Sequence, residues 1–106
     1  MNTYLLVHRH PQNYSGGPDT FAAWEDWLRQ LGDALVDLGN PVLGDRNTVG
    51  EAGSALPLGG YTIVEAENID EATSLASGCP IIEEGGGVEV GRLTPIPGRH
   101  HPARTF

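Results

Sequence analysis

The sequence contains no lysine, and its six basic residues, all arginine, stand against 14 Asp and Glu. The net charge of −8 repels phosphate backbones and anionic bilayers, which sets nucleic acids and membranes aside as partners. A single cysteine cannot form an internal disulfide, in keeping with a reducing compartment. No apolar run approaches the roughly 20 residues that cross a bilayer. The opening Met-Asn-Thr-Tyr-Leu-Leu-Val has neither the basic region nor the long apolar stretch of a secretion signal. These shortages predict a cytoplasmic protein. What is present is an ordinary 39% of hydrophobic residues in 106, enough for one domain that buries about two-thirds of its unfolded surface.

Thr3 to Arg9 is aromatic, aliphatic and β-branched, and too short for a stable helix, so it reads as a first strand. A loop through His10, Pro11 and Pro18 follows. Phe21, Trp24, Leu28, Leu31, Leu35 and Leu38 then recur at spacings of three and four, which predicts a helix from about Asp19 to Leu38. Trp27 falls at the edge of that stripe. Gly39 would cap the helix and Pro41 would stop it. Val42 to Val49 predicts a weak edge strand, Gly50 to Pro57 a hairpin loop, and Leu58 to Ala66 a third strand. Asn68, with Glu71 three residues later, forms the start of a second helix, which Gly78 and Pro80 end. Pro80 to Glu84 makes one short turn. Val88 to Thr94 is a fourth strand, and 97–106 is expected to be a flexible tail. The order β-α-β-β-α-β is that of the ferredoxin-like fold, an α+β domain over residues 1–96 with two helices on one face of a four-stranded antiparallel sheet.

Gly59-Gly60-Tyr61-Thr62-Ile63-Val64-Glu65-Ala66, Asp70-Glu71-Ala72, Leu75-Ala76, Gly78-Cys79-Pro80 and Gly87-Val88-Glu89-Val90 resemble the YCII-related proteins, and most closely the branch named for an Asp-Gly-Pro-Phe motif. The resemblance implies a dimeric α+β barrel, in which two sheets pack open face to open face. Some relatives are credited with a His/Asp pair in the cleft. This chain lacks both the Asp-Gly-Pro-Phe motif and any histidine from residues 20 to 39, so that pair is not carried over.

Alternation sorts the strand faces. The economical assignment sends Leu5, Val7, Val64, Val88 and Val90 towards the helices. It leaves Tyr4, Leu6, His8, Tyr61, Ile63, Glu65 and Glu89 on the open face. With strand one taken as parallel to strand three and antiparallel to strand four, His8, Glu65 and Glu89 would meet at one end of that face. An imidazole oriented by a carboxylate is a usable general base, so these three are the catalytic candidates. Tyr4, Tyr61 and Ile63 are candidate ligand contacts. Solvated or inter-subunit hydrogen-bonding groups are the plainer alternative.

Cys79, at the end of a helix, reads as structural. His8, His10, His100 and His101 match no zinc spacing, so no metal is expected. Gly85-Gly86-Gly87 lacks the Lys and Ser/Thr of a phosphate loop and reads as a turn, and no cofactor is expected. Arg46 and Arg92 read as solvated surface. Three functional readings follow: a small-molecule enzyme using His8 with Glu65 or Glu89, a non-catalytic module holding a small organic ligand between the sheets, and an accessory homodimer acting through protein partners.

Overall fold

The computed structural model describes residues 1–12, 14, 18–53 and 55–97. His100, His101 and all of the expected tail beyond Pro97 lie outside that set. The elements run β1 (Asn2–Arg9), α1 (Pro18–Leu31), a 3-10 turn (Gly32–Ala34), β2 (Leu35–Asp37), β3 (Leu58–Ala66), α2 (Ile69–Ala76), a second 3-10 turn (Pro80–Ile82) and β4 (Gly87–Arg92). They form one antiparallel sheet in the order β2-β3-β1-β4. This is the ferredoxin-like arrangement expected.

Strand direction differs from expectation in one respect. β1 pairs antiparallel with both neighbours: Tyr4 faces Val64 and His8 faces Gly60 across β3, while His8 faces Val88 across β4. Each helix returns the chain to start a strand parallel to the one it left, so the two interleaved pairs must run in opposite directions.

The register also decides which face of β1 is buried. Val64 is fully buried, and Tyr4, its partner across β3, therefore points the same way, followed by Leu6 and His8. The assignment of β1 from alternation is thus reversed, whereas that of β3 and β4 holds. Tyr4, Leu6, Val64 and Ala66 form one core with Trp27 and Leu31 of α1, Ala72 and Ala76 of α2, and Cys79 and Ile81 beyond α2. Leu5, Val7, Tyr61 and Ile63 lie half-buried on the opposite, helix-free face.

α1 is shorter than the apolar spacing suggests. Its inward stripe is Ala23, Trp24, Trp27, Leu28 and Leu31, and Phe21 projects into solvent. Leu35 and Leu38 keep helical spacing in the sequence, but Gly32 takes φ of +54° and turns the chain into a 3-10 turn and then β2. β2 meets β3 through Leu35 opposite Val64 and Asp37 opposite Ile63, with an irregularity between them. The expected strand Val42–Val49 is absent, since only Pro41 bridges to Gly60 and the chain then leaves the sheet. Arg46 ties this loop down by donating to the carbonyls of Val42 and Leu58.

The start of α2 forms as its sequence requires. The Asn68 side chain accepts from the N–H of Glu71 at 2.9 Å, and the Glu71 carboxylate accepts from the N–H of Glu67. Gly78 does not adopt the left-handed conformation expected of a cap. Its missing side chain seats Trp27 instead: a Cβ there would come within 3.1 Å of Trp27 Cδ1. The Trp27 indole N–H donates to the Leu75 carbonyl at 3.0 Å, which locks α1 onto the end of α2.

Gly32 and Gly39 both have positive φ, but they differ in surroundings. A Cβ on Gly32 meets nothing within 4 Å, whereas one on Gly39 would lie 1.8 Å from the Tyr61 carbonyl oxygen. Gly32→Ala is therefore expected to cost about 1 kcal/mol, the left-handed penalty alone. Gly39→Ala is expected to cost about 3 kcal/mol or more, because β3 must move. Urea denaturation of the two variants checks this, and equal losses would contradict it.

Candidate functional site

A cavity of about 320 Å³ opens between the first half of α1 and the end of the sheet where β1 finishes and β3 begins. His8 and His10 reach it from β1 and the residue just past it, with Tyr14 from the following loop. Trp24 and Leu28 come from α1, and Gly59, Tyr61 and Thr62 from β3. The volume lies within the range of small-molecule pockets, and most of the lining is aromatic or aliphatic.

His8 is held on both sides. Its Nε2 lies 2.9 Å from Thr62 Oγ1, and its Nδ1 lies 3.7 Å from Cys79 Sγ. The Thr62 hydroxyl has one proton, which it gives to the Leu38 carbonyl at 3.2 Å. It must therefore accept from His8, which assigns the proton to Nε2 and leaves Nδ1 to accept from the thiol. Trp24 and Trp27 stand edge-on to the imidazole at 4.9 and 5.9 Å between ring centres. Burial, aided by the neighbouring His10, pushes the His8 pKa down to about 4. Burial pushes the Cys79 thiol up to about 12, so it remains a protonated donor. The protein itself engages both nitrogens of His8.

His10 is different. It is buried, its backbone N–H donates to the Pro57 carbonyl at 3.1 Å, and its ring packs 4.3 Å from that of Tyr14. Gly59 makes room for it, since a Cβ there would lie 2.4 Å from His10 Cδ2. Yet its Nδ1 is buried with no hydrogen-bond partner among the described residues. Such a group is costly unless something else pairs with it. Burial and the nearby Arg46 lower its pKa, with Glu84 opposing, so the ring is neutral at pH 7. Glu84 also accepts from the Tyr14 hydroxyl at 3.4 Å and from Thr20 Oγ1 at 3.0 Å, joining the loop after β1 to α1.

The three residues expected to form a reactive cluster do not meet. Glu65 lies opposite Thr3, at the far end of β1 from His8. Glu89 projects from the other face of the sheet, where it pairs with Arg9 at 3.5 Å. The separation follows from the antiparallel direction of β1 against β3 and from the burial of the His8 face. Of the expected ligand contacts, Tyr61 borders the cavity at the end of β3 although it shares the helix-free face with Ile63, and Tyr4 is buried in the core.

A model of the YCII-related domain matches residues 1–96. The chain belongs to the YCII-related domain family. No curated protein sequence matches it. Among solved structures, 5-chloro-2-hydroxyhydroquinone dehydrochlorinase from Burkholderia phenoliruptrix AC1100, in complex with 2,5-dihydroxybenzoquinone, is similar over 87% of this chain and 93% of that one, with a TM-score of 0.59 and 23% identity. At that identity the likeness establishes a shared fold.

Within this YCII-related chain, sequence reasoning overlooked His10 as a site residue. Its signal was there: Tyr4, Leu6, His8 and His10 have one parity, so once the Tyr4 face is known to be buried His10 follows it inward.

His8 also sets an acid limit on stability. Its pKa is about 4 in the folded chain and about 6.5 unfolded, so the unfolded state binds more protons between those values. The stabilisation is complete above pH ~6.5 and is lost as pH falls towards 4, amounting to about 3 kcal/mol at most. His8→Gln is expected to flatten the fall in urea midpoint over that window. An unchanged slope would show that other groups cause it.

Proposed function

We propose that this chain binds a small, flat, hydroxyl-bearing ring in the cavity beside α1, and that His10 is the polar group that meets it. The observation that carries this reading is a buried, unpartnered Nδ1 on His10, a residue that lines an aromatic-walled cavity of about 320 Å³. A neutral imidazole nitrogen can accept a hydrogen bond from a ring hydroxyl. The aromatic side chains of Trp24 and Tyr14 in the lining favour a ring over a flexible chain. The similar fold of a dehydrochlorinase solved with 2,5-dihydroxybenzoquinone points to ring diols as probes, and 1,4-hydroquinone, which keeps its hydroxyl protons at pH 7, is the one to test first.

Trp24 lines the cavity, so quenching of its fluorescence reports binding. The compound is expected to bind the wild type and to bind His10→Phe about tenfold more weakly, the loss of one hydrogen bond in a buried site. Equal affinity in the two proteins would remove His10 from the role.

We also propose a homodimer formed through the helix-free face. Leu5, Val7, Tyr61 and Ile63 lie half-buried side by side on that face, an apolar surface that a second copy would cover. Sedimentation is expected to show a dimer at micromolar concentration, and Ile63→Glu is expected to shift it to monomer without loss of secondary structure. A wild-type monomer under those conditions would overturn the assembly.

A further inference from the structure

The cavity has an unusual distribution of polarity. Its most enclosed lining residues include His8, His10 and Thr62, all less than 5% exposed. Other residues of the same lining face water and are apolar: Phe21 is 72% exposed, Leu38 59% and Leu43 59%. A pocket for a fully polar metabolite would be expected to place polar groups at its rim, where they cost nothing to solvate. Here His8, His10 and Thr62 lie inside, and at the opening three large apolar side chains stand beside the exposed Glu25 and Asn40.

These three residues come from separate elements. Phe21 lies in the first turns of α1, Leu38 follows β2, and Leu43 sits in the loop that Arg46 ties to β3. None belongs to the main core. Their common property is that they line one cavity.

We propose that the ligand is amphiphilic: a hydroxylated ring whose hydroxyl pairs with His10, carrying an alkyl substituent that leaves the cavity between Phe21, Leu38 and Leu43. This rests on the ring-binding reading above and adds the class of substituent. The rim then serves as a subsite that removes several methylene groups from water, and the gain grows with chain length until the substituent extends past the rim.

The test is a series of para-substituted phenols (phenol, 4-ethylphenol, 4-butylphenol and 4-hexylphenol) titrated against the full chain by tryptophan fluorescence. Affinity is expected to rise about threefold for each added methylene, slightly below the full transfer value because the rim is open on one side. Leu43→Ser and Phe21→Ser are exposed substitutions that should leave folding intact, and each is expected to reduce that increment per methylene. His10→Phe is expected to weaken every member by a similar factor and to keep the increment. Failure of any phenol to bind would count against the ring-binding reading itself. If phenol binds but the series is flat, the amphiphilic ligand is overturned. An increment that persists undiminished in both rim variants would overturn it too, because the chain would then lie elsewhere.

Discussion

The hydrogen-bonded run from Cys79 through His8 and Thr62 to the Leu38 carbonyl holds together parts of the chain that are far apart in sequence. It begins beyond α2, crosses β1 and β3, and ends where the chain leaves β2. Trp24 and Trp27 close it from the side of α1. A neutral, doubly engaged imidazole suits this place because both of its nitrogens are satisfied and its charged form is strongly disfavoured by burial. The loop after β2 is therefore bound to the sheet by a side chain of β3, and the cavity beside it has a fixed floor. The seat of Trp27 on Gly78 and its bond to Leu75 fix the opposite wall.

That floor divides the labour between two histidines two residues apart. His8 is consumed by the framework. His10 extends the same face past the end of β1, where the sheet no longer supplies partners, and its Nδ1 remains buried without one. The difference is positional: a residue inside a strand has neighbours on both sides, while one just beyond its end faces whatever lies in the adjoining space. A ligand hydroxyl in that space would satisfy the nitrogen, and an apolar ring beside it would exclude water from the bond.

The parts of the fold that were legible in the sequence were those set by local chemistry. β3 matched its strand pattern from Leu58 to Ala66, and α2 began at Asn68 because the side chain caps it. The topology followed from element order. The errors arose where the decisive interaction was distant. Leu35 and Leu38 satisfied a helical period, but Gly32 with φ of +54° ended the helix, and spacing alone does not reveal a backbone dihedral. β1 carries apolar residues on both faces, so alternation could not choose between them, and only pairing of Tyr4 with Val64 did. The wrong direction for β1 against β3 then placed Glu65 beside His8, although the two lie at opposite ends of the strand pair. The Gly78-Cys79-Pro80 stretch looked like punctuation, and it does more: it seats Trp27 and supplies the thiol that meets His8.

The central claim is that His10 receives the ligand while His8 stays bound to the protein. Imidazole nitrogen NMR during titration with 1,4-hydroquinone, whose hydroxyls stay protonated at pH 7, tests it most directly, because the nitrogen shifts report protonation and hydrogen bonding at each ring. The account predicts that His8 retains its proton on Nε2 throughout, while the His10 Nδ1 resonance moves with ligand occupancy. Movement of the His8 nitrogens with an unperturbed His10 would contradict it.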